Sequence, residues 1–133
     1  MTGNYFVTAD KLGHFKFSCL NFNNEIEEEE ITKNPREGGH KDSVKDIAFS
    51  PSDAKFITCS TDKTLKVWDT FELKCETNLT GHGSDVLAAD WHPWMKMIAS
   101  GGKDRFLKIW TLGERQANVC SLYHHTNSIN CIR

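Results

Sequence analysis

Residues 39–69 read GHKDSVKDIAFSPSDAKFITCSTDKTLKVWD, and residues 81–111 read GHGSDVLAADWHPWMKMIASGGKDRFLKIWT. His40, Thr58, Asp62 and Trp68 of the first stretch recur as His82, Ser100, Asp104 and Trp110 of the second, 42 residues on and at identical intervals. Self-similarity at a period of roughly 20–50 residues marks a chain built from stacked copies of one supersecondary unit. Within each copy the apolar runs are short and closed by Gly, Pro, Ser or Asp, so they read as strands rather than helices. The first copy is expected to hold strands over Val44–Phe49, Lys55–Ser60 and 65–68. Cys75, Thr77 and Leu79 then alternate with Lys74, Glu76 and Asn78, the period of two that belongs to a half-buried fourth strand. The second copy repeats this over Val86–Trp91, 97–101, 106–110 and 119–123. Four antiparallel strands per copy make an all-β chain.

Working outward, residues 4–18 read as a degenerate copy. Aligned on 54–68 they place Thr8 on Thr58, Lys16 on Lys66 and Ser18 where Trp68 stands, at an offset of 50 instead of 42. The surplus falls around residues 24–39, where five glutamates occupy positions 25–30. Such a run is ordinarily a solvated loop; its sharper alternative is an acidic docking surface. The organisation expected is therefore 1–39 a partial copy with an acidic insert, 40–80 and 81–123 full copies, and 124–133 the start of another. His125 stands four residues before Ile129, as His40 stands before Val44 and His82 before Val86.

Composition bounds the rest. A net charge of −2 over 133 residues gives no global bias toward nucleic acid or membrane. No apolar run approaches the roughly 18 residues needed to span a bilayer, and Met1 is followed by no signal segment. Five scattered cysteines, an odd number, argue against a disulfide framework and for a reducing, intracellular setting. Cys120, His124, His125 and Cys131 carry zinc-ligand chemistry, but their C-x3-H-H-x5-C spacing lacks the close pairs of zinc modules, so no metal is expected. No unrepeated nucleophile–base pair and no phosphate-cradling glycine loop is present, so neither catalysis nor a cofactor is expected.

The Gly-His opening, the Trp-Asp close at Trp68-Asp69 and the spacing between them resemble the WD-repeat family. The resemblance covers nearly the whole chain, and Thr111 departs from it where Asp is usual. It implies a β-propeller fragment of about three blades, each a four-stranded antiparallel sheet; complete propellers hold roughly four to eight. An open arc is expected to self-associate in isolation. In this family the His, a strand-two hydroxyl, the turn Asp and the Trp form a buried tetrad, here His40, Thr58, Asp62 and Trp68, then His82, Ser100, Asp104 and Trp110. The hydroxyl is chosen by comparison of the copies. Ten residues before each Trp stand Thr58 and Ser100, whereas eight before stand Ser60 and Gly102, which has none.

The propeller arrangement sends the second-to-third-strand turns and the inter-blade loops to one rim. That rim would collect Lys11, His14, Lys41, Lys63, Lys103 and Arg105, opposed mainly by Asp42 and Asp85, and would be locally basic and favourable to phosphate-rich partners. Lysines on turns are, however, ordinarily just solubilising. Within the family, Gly81–Gly83 with Asp85-Val86, then Asp90–Pro93, then Ser100-Gly101 with Lys103-Asp104 resemble a distinctive blade of the polyadenylation-factor branch; residues 4–17 followed by Asn23-Asn24 resemble the blade before it. This branch implies a nuclear, non-enzymatic scaffold in pre-mRNA 3′-end cleavage and polyadenylation. Its partners would be a zinc-finger subunit, a large multi-propeller subunit and single-stranded pre-mRNA. The alternative is a general WD-repeat interaction scaffold without RNA, such as a ubiquitin-ligase adaptor or a ribosome-assembly propeller. Phe6, Phe15, Phe56 and Phe71 are expected in the blade cores.

Overall fold

The structure, a computed structural model, describes residues 4–20, 26–29, 38–52, 54–113 and 117–133. Among these, eleven strands form three antiparallel sheets. The middle sheet runs β4 (Val44–Phe49), β5 (Lys55–Ser60), β6 (Thr64–Asp69) and β7 (Cys75–Thr80), in that spatial order. The next sheet runs β8 (Val86–Trp91), β9 (Met97–Gly102), β10 (Leu107–Leu112) and β11 (Ala117–Leu122). The expected third and fourth strands of this sheet are shifted. Pairing continues past Trp110 to Leu112↔Ala117, while Phe106 stays in the turn after Arg105. The hairpin turn sets register, and spacing of apolar residues alone does not.

The first sheet holds β1 (Asn4–Ala9), β2 (Phe15–Leu20) and β3 (Ile26–Glu29). Its register, Phe6↔Ser18 and Thr8↔Lys16, repeats Phe56↔Trp68 and Thr58↔Lys66 of the middle sheet. β1 and β2 therefore pair in the register of β5 and β6, with β3 beside β2 as β7 stands beside β6. Part of the acidic run, expected as a solvated loop, is instead strand: β3 pairs with β2 from Leu20↔Ile26 to Phe17↔Glu29, while Glu25 and Glu30 lie outside the described residues. An outermost strand tolerates charge, since one edge faces solvent, and edge charges discourage unwanted pairing.

Sheets pack face to face, with β8 against β4 and β5. Period-two alternation turns Ile57, Cys59, Leu65, Val67 and Leu79 of one sheet toward Val86, Ala89, Ile98 and Trp110 of the next, and all are buried. Phe56, Trp68 and Leu73 form the equivalent cluster on the other face of the middle sheet, with Val7, Ile47 and Phe49 against it. Two polar links cross the first seam: Ala89 N donates to Asp46 Oδ2 (3.3 Å) and Trp91 Nε1 to the Ala48 carbonyl (3.1 Å). A bulge sits at the same place in both first strands, between Val44 and Asp46 and between Val86 and Ala88, which increases local twist.

Phe56 is fully buried, whereas Phe71 is 70% exposed and not core. It sits at the β6–β7 turn, where the Asp69 carboxylate accepts from Phe71 N and Glu72 N and turns the ring outward. The side chains of Phe6 and Phe15 lie outside what the structure describes.

Candidate functional site

Each copied letter sits on a defined element: the histidine on the loop before a first strand, the hydroxyl mid-way along the second, the aspartate in the tight turn, and the tryptophan near the end of the third. In the middle sheet Trp68 Nε1 donates to Thr58 Oγ1 (2.9 Å), His40 Nε2 lies 2.7 Å from that oxygen, and His40 Nδ1 lies 2.9 Å from Asp62 Oδ2. In the next sheet Trp110 Nε1 donates to Ser100 Oγ (2.7 Å), His82 Nε2 lies 2.7 Å from it, and His82 Nδ1 lies 2.7 Å from Asp104 Oδ2.

Donor accounting fixes the protons. An indole N–H only donates, so the hydroxyl accepts from it and gives its own hydrogen to imidazole Nε2; Nδ1–H then donates to the carboxylate. A doubly protonated ring would leave the hydroxyl hydrogen without an acceptor. Burial pushes the His82 pKa below its ordinary 6.5, against the opposing pull of the Asp104 hydrogen bond and charge. Burial raises the Asp62 carboxyl, but hydrogen bonds from His40, Thr64 and Lys41 N outweigh it and hold the acid well below the usual carboxylate range. Asp104 is lowered the same way by His82 and Gly83 N. Phe106 replaces Thr64 there, so Asp104 lacks the hydroxyl that donates to Asp62 at 2.7 Å.

Chemically the tetrads are closed. Thr58 and Ser100 are 0% exposed and their oxygens are pinned by tryptophan, so no substrate reaches them. They lock one blade edge to the loop that begins it. Thr58→Ser keeps every hydrogen bond and loses one buried carbon, so a cost of about 1 kcal/mol is expected, read by chemical denaturation. A cost above about 3 kcal/mol would show that the methyl, not the hydroxyl, carries the site.

These shifts give stability a direction with pH. His82, Asp62 and Asp104 all have depressed folded-state pKa values, so each contributes stability above its unfolded value that is lost on acidification. The thermal midpoint is expected to fall as pH drops below 6.5 and again, more steeply, below 3.8, the ordinary values of the two groups. A midpoint that rises on acidification would contradict the neutral-imidazole arrangement.

Backbone hydrogen bonds join the expected rim's turns to its inter-sheet loops. Val44 N bonds the Asp10 carbonyl (3.3 Å), Thr61 N the Ser43 carbonyl (3.0 Å) and Lys103 N the Asp85 carbonyl (2.9 Å). Lys63 and Arg105 hold the same left-handed turn position at φ 71° and 68°, and Gly13 holds it in the first sheet at 86°. A side chain at Gly13 would stand 2.8 Å from the carbonyls of His40 and Asp42. The rim is less basic than its residue list suggests. Lys103 Nζ is 2.6 Å from Asp85, His14 Nδ1 is 3.1 Å from Asp10, and Arg105 lies over the Tyr123 ring. Asp10 is the residue that spacing missed; it stands where Ser60 stands and caps the turn through Leu12 N and His14 N as Ser60 does through Asp62 N. Among the described residues, Lys11, Lys41 and Lys63 have no carboxylate partner.

Cys120, His124, His125 and Cys131 are exposed, and among the described residues no three His, Cys, Asp or Glu side chains gather as metal ligands. Burial pushes the Cys59 thiol up to about 12, with the Asp46 charge adding to it. Among the described residues no helix is long and apolar enough to cross a membrane.

Twisted four-stranded sheets stacked face to face, each tied by a His–hydroxyl–Trp relay, define the blades of a β-propeller. The chain belongs to the WD domain, G-beta repeat family, whose pattern matches residues 33–69 and 73–111. A crystal structure of RRP9 WD40 repeats superposes with a TM-score of 0.80 at 18% identity, over 96% of this chain and 37% of that one. The nuclear distribution protein PAC1 of Ajellomyces capsulatus is 33% identical over 96 residues, 71% of this chain and 21% of that protein. Polyadenylation factor subunit 2 of Neurospora crassa is 41% identical over 70 residues, 51% of this chain and 10% of that protein. The chain thus spans about a tenth to a fifth of the length of these relatives.

Proposed function

We propose that the protein is a non-enzymatic WD-repeat scaffold subunit of the nuclear machinery that cleaves and polyadenylates pre-mRNA. In this reading residues 40–80 and 81–123 are two full blades, 1–39 is a partial one and 124–133 opens another. The tetrads hold the blades in shape, the surfaces assemble protein partners, and the rim touches single-stranded RNA. The observation that carries the reading is the 41% identity over 70 residues to polyadenylation factor subunit 2 of Neurospora crassa; the resemblance of Asp90-Trp91-His92-Pro93 and its surroundings to a blade of that branch agrees with it. Depleting the protein from its own cells tests it: transcripts are expected to run past their polyadenylation sites, and unchanged 3′ ends would refute the assignment.

The RNA contact rests on Lys11, Lys41 and Lys63, rim lysines with no carboxylate partner among the described residues. Lys41→Gln with Lys63→Asn removes two positive charges, and asparagine tolerates the left-handed turn at position 63. For a single-stranded RNA oligonucleotide, the slope of log affinity against log salt is expected to shrink by about 1.4, at about 0.7 per phosphate contact. An unchanged slope would remove RNA from this rim.

The ion pairs Lys103–Asp85 and His14–Asp10 favour a second reading, a general protein-interaction scaffold without RNA, since they spend part of the rim's charge internally. The similarity to PAC1 fits it equally.

A further inference from the structure

On the side away from the basic rim, the core between the middle and third sheets opens to the surface. Val67, Trp91 and Leu112 floor a groove of about 620 Å³, within the usual size of a ligand site. One wall is the β8–β9 turn, which presents Trp94 at 88% exposure and Met95 at 59%. The fold does not call for these side chains. The β4–β5 turn, 42 residues earlier, is closed by the same backbone bond (Ser50 N to Lys55 O, His92 N to Met97 O), with Ser50 Oγ accepting from Lys55 N where His92 Nδ1 accepts from Trp94 N and Met95 N. There the sequence has Ser52, Asp53 and Ala54 where this turn has Trp94, Met95 and Lys96. Two large apolar side chains on a turn that a polar sequence closes equally well mark a surface kept for a partner.

Charge narrows the occupant. Of the lining lysines, Lys55 is already paired with Glu76, and Lys96 has no carboxylate partner among the described residues. β7, which supplies Glu76 and Thr77 to the groove, has a sheet neighbour on one side only among the described residues, and such an edge accepts an extended chain. We infer that this inter-blade groove docks an extended segment of a partner protein in which a bulky apolar side chain, seated on Trp91 and Leu112 and covered by Trp94, is flanked by carboxylates directed at Lys96. The site does not depend on the polyadenylation reading and lies apart from the RNA rim.

The test is selection of a displayed library of random twelve-residue peptides on the full chain, followed by affinity measurement of the enriched peptides on variants. Enriched peptides are expected to carry an aromatic or large aliphatic residue beside Asp or Glu. Trp94→Ser should weaken them roughly tenfold or more at an unchanged thermal midpoint, and Lys96→Glu should abolish the preference for acidic flanks. Failure to enrich any peptide, equal binding to Trp94→Ser, or indifference to Lys96→Glu would each overturn the inference. So would loss of self-association in Trp94→Ser without any selected peptide, which would assign the groove to a second copy of the chain.

Discussion

Trp68→Ala is expected to lower stability by about 3–5 kcal/mol, the cost of emptying a fully buried aromatic site, and the thermal midpoint by about 12–20 °C. Trp68 has no exposure, lies nearly parallel to the Phe56 ring at 6.1 Å, and closes the cluster with Leu73. Its Nε1 also supplies the proton that orients Thr58 toward His40. Removing the side chain therefore opens a cavity and leaves the relay without its first donor. Trp68→Phe separates the two effects: most of the packing stays and only the donor goes, so about 1–2 kcal/mol is expected, since the Thr58 hydroxyl keeps its bond to His40. Chemical denaturation of both variants reads the difference. Equal losses would mean that the hydrogen-bond relay, not the packing, dominates.

Gly102→Ala is the second large effect, and the residue looks unremarkable in the sequence. A Cβ there would overlap the Asp85 carbonyl oxygen and stand 3.0 Å from Val86 Cα, both backbone atoms that move only with their strand. Relief requires β8 and β9 to part where Lys103 N bonds that same carbonyl (2.9 Å) and Ile129 N bonds the Gly102 carbonyl (3.0 Å). A loss of about 3 kcal/mol is expected, at the upper end for overpacking. Ser60, the matching residue of the middle sheet, has room for its side chain and donates to the Asp42 carbonyl at 3.0 Å. Ser60→Ala opens no steric conflict and removes two neutral hydrogen bonds, to the Asp42 carbonyl and from Asp62 N, so a smaller cost of about 1–2 kcal/mol is expected. Similar losses at the two positions, measured side by side, would contradict the steric account.

The 42-residue repeat made most of the fold legible, because a fixed interval between His and Trp can be met only if the strands between them have fixed lengths and turns. The register of β1 on β2 was legible for the same reason, through Thr8, Lys16 and Ser18. Other features lie beyond a linear pattern. The strand Ile26–Glu29 is hidden because an outer strand of a sheet and a charged loop share one composition. The exposure of Phe71 depends on the Asp69 carboxylate gripping two turn amides, which hydrophobicity does not report. The basic rim was read from residue types at turns, but its strength depends on which carboxylate each cation meets. Asp85 with Lys103 and Asp10 with His14 are pairings of folded loops. The groove under Trp94 was the least legible of all, since two sheets must be placed side by side before Val67 and Leu112 share a floor.

The most direct measurement is affinity purification of the protein, tagged at its own locus, with mass spectrometry of what accompanies it. Cleavage and polyadenylation subunits are expected, with a zinc-finger protein and a large multi-propeller protein among them. Recovery of a different assembly in their place, with no 3′-end processing subunit present, would contradict the proposed function and leave a WD-repeat scaffold of another complex.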